Sequence, residues 1–339
     1  MSDRTFISLR MTRLLRQLLW VVLAFVLVTA CSVKHSQVSP DASQTPPAEP
    51  VRLVQHLMGE TQVPVNPQRV VTLDTNYLSN ALVLGIQPIG STAWFDTGRR
   101  SGWDPVAPYL RDFAQEMTII GYNEVDLETV LLLKPDLIVG NHTHEAIYEQ
   151  LSQIAPTVLY DNSDRGNYGW RDMLKFSGDV FGKTQAAEKL VNDYYQRTQE
   201  LRQKLRQKTG NPVSTIQVSA IQPGANGVRL MYRRSLGGIV LEDVGLSRPP
   251  AQDKEGTNAP VSFELIPDMD GDVIFLITYM DDDGSDVVNQ LKNHPLWSQL
   301  AAVKQGKVYP VDAQHWYGAD IVRVNLILDD LFKYLLEEE

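Results

Sequence analysis

The chain has 339 residues, 43% of them hydrophobic and 21% charged, and carries a net charge of −10. That length holds two domains with a core each, and the composition is that of a globular protein rather than a disordered or fibrous one. The acidic balance argues against nucleic acid and against broad adhesion to anionic lipid, and a single cysteine leaves no disulfide within the chain.

Arg10, Arg13 and Arg16 precede an apolar run from Leu18 to Val28, which ends in Val28-Thr29-Ala30-Cys31. A basic stretch, a short apolar core and small residues read as a secretory signal over residues 1–30, too short to span a bilayer as a mature helix. Asp3 against Arg4, Arg10, Arg13 and Arg16 gives this segment a net +3, so the rest of the chain carries −13. Cys31, directly after the small residues, resembles the lipobox cysteine of bacterial lipoproteins, which is lipidated and becomes the mature N-terminus. Residues 31–50 are mostly Ser, Thr, Gln, Pro and Ala and read as a lipidated, disordered tether.

From Val51 onward strand-like and helix-like segments alternate. Residues 69–73 and 88–92 are short β-branched strands, and Tyr77 to Leu84 between them has helical spacing and stops at Gly85. Asp126 caps a helix over 127–134, residues 136–140 form a buried strand, 145–154 a helix and 157–160 a strand. Such alternation implies a parallel sheet covered on both faces. Residues 184–208 contain no Gly or Pro and keep a helical period from Ala186 to Leu205, so one helix about 37 Å long is expected. Beyond it come strands at 214–218, 272–277 and 307–311, a helix at 236–244 ending at Gly245, and a closing helix at 321–338. The halves echo each other: Leu127-Glu128 is followed eight residues after the Glu by Asp136-Leu137-Ile138-Val139, and Phe263-Glu264 by Asp272-Val273-Ile274-Phe275. Leu84-Gly85-Ile86 is likewise matched by Val244-Gly245-Leu246. The division expected is an N-terminal lobe over 51–183, a connecting helix over 184–209 and a C-terminal lobe over 210–339.

These stretches, together with Leu133-Lys134-Pro135-Asp136-Leu137-Ile138 and Gly237-Gly238-Ile239-Val240, resemble the class III substrate-binding lipoproteins of ABC importers, which bind ferric siderophores, haem or cobalamin. The resemblance runs from about Arg69 to Leu335. It implies an α/β fold of two Rossmann-like lobes joined by one long helix, with ligand in the cleft between them. It also implies a monomer without enzymatic activity or resident cofactor, held by lipid on Cys31 at the outer face of the cytoplasmic membrane. Its partners are then a permease dimer with its ATPase and a small iron chelate. Carried over onto matching positions, Glu128 and Glu264 dock on the permease.

An anionic ferric siderophore calls for guanidinium groups, which grip carboxylate and catecholate oxygens in a bidentate way. Arg99, Arg100, Arg165, Arg233 and Arg234 follow expected strands, where clefts of α/β sheets form. Aromatic side chains gather in the same loops, and Trp94, Tyr168, Tyr279 and Trp316 are the expected ligand contacts, with Trp297 in the core. His142 and His144 flank Thr143 after a strand and suit either an iron or haem contact or a polar loop. The acidic runs 268–272 and 281–286 lack the form of a calcium loop. A zinc or manganese binder of the same architecture would need more ligands than six histidines readily supply. A metal chelatase built on His142, His144 and Glu145 conflicts with export.

Overall fold

The structure is a computed structural model that describes residues 50–92, 108–114, 116–122, 124–163, 169–225, 227–279 and 286–336. The signal segment, Cys31 and the tether therefore lie outside the described residues. The described residues open with a hairpin for which the sequence carries no clear strand signal, β1 (Val51–His56) against β2 (Gly59–Pro64). Val54 and Val63 point inward, and Arg52 donates to the carbonyls of Val65, Asp179 and Val180.

The first half then runs β3 (Val70–Thr72), α1 (Thr75–Val83), β4 (Gly90–Ser91), β5 (Thr118–Ile119), α2 (Leu127–Leu133), β6 (Leu137–Asn141), α3 (Tyr148–Ile154), β7 (Thr157–Tyr160) and α4 (Trp170–Phe181). Its strands lie in the order β5-β4-β3-β6-β7, and every neighbouring pair is parallel. Asp74 caps α1 through the Asn76 N–H, and Asp126 caps α2 through those of Glu128 and Thr129. Residues 145–147, expected as the start of the helix over 145–154, belong instead to a separate 3-10 turn over 142–147, before α3. The connecting helix α5 (Thr184–Thr209) has 26 residues, about 39 Å at 1.5 Å per residue, and ends at a left-handed Gly210.

The second half comprises β8 (Val218–Gly224), β9 (Gly227–Met231), α6 (Leu236–Val244), β10 (Asn258–Val261), β11 (Val273–Thr278), α7 (Asp286–Lys292), α8 (Ala301–Lys304), β12 (Val308–Asp312), α9 (Ala313–Trp316) and α10 (Ile321–Leu336). Its order, β10-β9-β8-β11-β12, matches the first sheet position by position. The sheet is mixed rather than all-parallel, because β9 pairs antiparallel with both β8 and β10. The strand expected at 214–218 is a 3-10 turn at Val213–Thr215 followed by β8. Pro212 opens that turn, and the apolar run that sustains the strand starts only at Val218.

The largest core cluster spans α5: Ala187, Val191, Tyr194, Leu201 and Leu205 contact residues from both halves, including Leu174, Phe181, Val240 and Leu328. Each fully buried Leu or Phe there contributes about 1.5–3 kcal/mol of transfer free energy. Two hydrogen-bonded bridges tie the halves together beside this core. Arg171 on α4 pairs with Asp243 on α6, whose carboxylate also accepts the Tyr194 hydroxyl at 2.8 Å. The second bridge lies at the cleft and is described next.

Candidate functional site

The carboxyl ends of the two parallel strand sets meet. Ala319, in the turn between α9 and α10, donates its N–H to Asn76 Oδ1 at 2.9 Å, and Arg323 Nη1 donates to the same oxygen at 2.9 Å. Asn76 opens α1 just beyond β3, and residues 317–320 lie just beyond β12 and α9, so this contact joins the equivalent ends of both sheets. Arg323 and Asp320 are both fully buried and paired at 2.5 Å, and Arg323 also donates to Gln314 O and lies over the Tyr109 ring. Burial works against the Arg323 charge, Asp320 favours it, and the balance raises its pKa. Gly318, at φ +112°, lets the guanidinium pass where a Cβ would collide with it.

On the first-half side of this junction the described residues include His142, His144 and Asn162. His142 Nδ1–H donates to Asn162 Oδ1, and His144 accepts the Asn141 N–H in a capping box. Burial lowers the His144 pKa, with Asp74 pulling the other way, so the neutral imidazole is favoured at neutral pH. The second-half side presents Gln222, Arg229, Tyr279 and Tyr317 around the ends of β8, β9 and β11, with the Tyr317 hydroxyl donating to Gln222 Oε1 at 2.5 Å. Among the described residues no group of three His, Cys, Asp or Glu is placed to hold a metal ion.

Of the ligand contacts expected from sequence, Trp94, Arg99, Arg100, Arg165 and Tyr168 lie outside the described residues. Arg233 and Arg234 follow β9 but are engaged: Arg233 Nε donates to Asp253 Oδ1 at 2.7 Å, and Arg234 Nε to Glu255 Oε2 at 3.1 Å. The Asp253 hydrogen bond raises the Arg233 pKa. Tyr279 follows β11 at the carboxyl end and is half-buried against the main core.

Trp316 is placed differently from the expectation. It is 2% exposed, packed at a tilt against Phe275 with the ring centroids 5.1 Å apart, and its indole N–H donates to Asp330 Oδ2 at 2.8 Å. It is a core residue, and its closeness explains Gly237, where a Cβ would sit 2.5 Å from the indole. Trp170 is likewise buried and opens α4. Trp297 is buried as expected.

Glu128 and Glu264 are exposed, and each begins the helical turn after an outer strand, β5 or β10. Leu131 and Leu132 are exposed on the Glu128 face of α2, and Leu265 beside Glu264. The Ser262 hydroxyl holds the Glu264 carboxyl below its ordinary range.

Two Rossmann-like halves, joined by one long helix and meeting at the carboxyl ends of their strands, define a two-lobed binding protein with its ligand cleft at that meeting point. The chain belongs to the periplasmic binding protein family, whose profile matches residues 70–315. It is 32% identical to the probable siderophore-binding lipoprotein YfiY of Bacillus subtilis over 93% of this chain and 96% of that one. It is 29% identical to the achromobactin-binding periplasmic protein of Dickeya dadantii over 78% of this chain and 85% of the relative. Among solved structures, Staphylococcus aureus SirA complexed with staphyloferrin B superposes with a TM-score of 0.71 at 27% identity, covering 85% of this chain and 99% of SirA. The two-lobed class III fold expected from the sequence is thus the fold of the protein.

Proposed function

We propose that this protein is the extracytoplasmic substrate-binding component of an ABC importer. It captures a ferric siderophore in the cleft and delivers it to a permease dimer driven by its ATPase. The observation that carries the reading is the near full-length relationship to a siderophore-binding lipoprotein, 32% identical across 93% of the chain. The iron chelate is cargo, and no resident cofactor takes part. Lipid on Cys31 anchors a monomer at the outer face of the cytoplasmic membrane, with residues 32–50 as tether. The expected contacts outside the described residues, Trp94, Arg99, Arg100, Arg165 and Tyr168, line the cleft in this reading together with Tyr279.

Intrinsic tryptophan fluorescence tests the reading directly. Titration with ferric citrate, a ferric tris-catecholate, a ferric trihydroxamate, haem, cobalamin, zinc and manganese is expected to give saturable quenching by one ferric chelate at micromolar concentration or below. A response to haem, cobalamin or a bare ion alone moves the protein to another ligand class.

Docking rests on Glu128 and Glu264, helix-start carboxylates whose neighbouring exposed leucines add apolar surface to each contact. Glu128→Ala combined with Glu264→Ala is expected to leave chelate affinity unchanged and to abolish uptake by cells. Normal uptake by the double variant removes these residues from docking.

A further inference from the structure

The arginines singled out by the sequence on the second half, Arg233 and Arg234, are paired with carboxylates, and among the described residues a different one, Arg229, has an unpaired side chain. Arg229 lies inside β9, a strand paired on both sides, by β8 and by β10. Its neighbours Val228 and Leu230 are buried in the core while Arg229 itself is exposed. Directly across on β8 is Gln222, and across on β10 is Pro260. Opposed residues of an antiparallel pair share a face, and so do residues two apart on one strand. Arg229, Gln222 and Met231 therefore lie on one face, and the Tyr317 hydroxyl fits that register by donating to Gln222 Oε1 while lying 3.9 Å from Met231 Sδ. This layer is two residues from the carboxyl end of β8, at the end of the sheet that meets the first half.

Among the described residues the Arg229 side chain makes no hydrogen bond or ion pair, whereas those of Arg233 and Arg234, four and five positions on, are held by Asp253 and Glu255. An acidic chain with 41 carboxylates against 31 basic residues has ample means to pair a surface guanidinium. A free guanidinium held on a sheet, beside a Gln whose orientation is fixed by a Tyr, is preorganised for an external anion.

We propose that Arg229, on the Gln222–Tyr317 platform, is the guanidinium through which the second half grips an anionic oxygen of the cargo, so that the ligand class is a carboxylate or catecholate ferric chelate rather than a neutral hydroxamate. This rests on the chelate-capture reading above.

The test uses full-length protein in detergent and fluorescence titration with ferric citrate, a ferric tris-catecholate and a neutral ferric trihydroxamate. Arg229→Gln removes the charge, Arg229→Lys keeps it without the bidentate fork, and Arg206→Gln removes another exposed arginine, on α5, as a control. A charge-assisted hydrogen bond of ordinary strength predicts that Arg229→Gln weakens the anionic chelate by roughly tenfold to a hundredfold. Arg229→Lys falls between Arg229→Gln and the native protein, and Arg206→Gln stays at the native value. Added salt weakens the native protein more than Arg229→Gln. The position is exposed, so both variants are expected to melt like the native protein; if Arg229→Gln does not fold, a native-like affinity of Arg229→Lys together with no salt dependence overturns the assignment. Anionic-chelate binding by folded Arg229→Gln within about twofold of native also overturns it while the capture reading stands, as does a native protein that takes only the trihydroxamate. A native protein that binds none of the three defeats the capture reading itself, and the assignment with it.

Discussion

The two halves of the molecule agree at one end of their sheets and differ at the other. At the amino ends the same devices recur. The Asp136 carboxylate accepts the N–H groups of Gln68 and Arg69 ahead of β3, and Asp272 accepts that of Gln217 ahead of β8. Helices α1 and α6 both exit through a left-handed glycine, Gly85 or Gly245, with the next residue's N–H bonded back to Ala81 O or Leu241 O. At the carboxyl ends the described residues differ: one side carries His142, His144 and Asn162, the other Arg229, Gln222 and Tyr317. The second half also inserts β9 before its helix, whereas α1 leads directly to a parallel β4. Elements that build the sheet are duplicated, and the elements that face a ligand have diverged.

The largest effect is expected where the differing ends are joined. Arg323→Ala leaves Asp320 as an unpaired charge with no exposed surface and removes one of the two hydrogen bonds that Asn76 Oδ1 accepts. Removing one partner of a buried pair costs about 3–5 kcal/mol, read as a loss of unfolding free energy in urea. A cost below about 1 kcal/mol means that the junction is held by packing and not by this pair.

The amino-end devices give a graded test of the repeat. Asp136 holds two N–H groups at 2.7 and 3.0 Å, and Asp272 one at 2.8 Å. At about 1 kcal/mol per hydrogen bond, Asp136→Ala is expected to cost about 2 kcal/mol and Asp272→Ala about 1. Equal or reversed costs contradict the claim that each clamp stabilises its half through these hydrogen bonds, at a similar contribution per bond. For the glycines equality is the expectation. A Cβ at Gly85 meets nothing within 4 Å and one at Gly245 meets only Arg202 at 3.4 Å, so both substitutions carry the same left-handed backbone penalty. Each is expected to cost about 1 kcal/mol, the penalty less the entropy that alanine removes from the unfolded chain.

Local patterns made much of this legible before the structure. The uninterrupted helical period marked α5 almost to the residue, the run from Asp272 marked a strand buried along its whole length, and the echo around the two glutamates marked two like halves. What stayed hidden depends on distant partners. Arg233 and Arg234 read as free cations because Asp253 and Glu255 lie about twenty positions on and return beside them only through the fold. Arg229 sits mid-strand, where a charge in sequence reads only as an outward face. Trp316 read as a cleft aromatic because the space for its ring comes from Gly237 and its hydrogen-bond acceptor from Asp330. The β1–β2 hairpin was missed because Val51 and Leu53 are exposed, which blurs the alternation that signals a half-buried strand.

The smallest effect concerns that last acceptor and separates the halves by pH. Burial raises the Asp330 pKa, while the Trp316 N–H, donating to its carboxylate, opposes the rise. A raised carboxyl pKa in the folded state means that the folded protein binds the proton more tightly than the unfolded chain. This contribution to stability is full below the unfolded value of about 3.9 and is lost as pH rises through the folded value. At pH 7 the ionised carboxylate is therefore a net cost, set against one hydrogen bond. Asp330→Asn keeps an oxygen for the indole and removes the charge, so a small rise in Tm is expected at pH 7. The rise should shrink on acidification towards about pH 4, as the native carboxyl takes up its proton in the folded state. An equal shift at both pH values would assign the effect to packing around Trp316 and not to the buried charge.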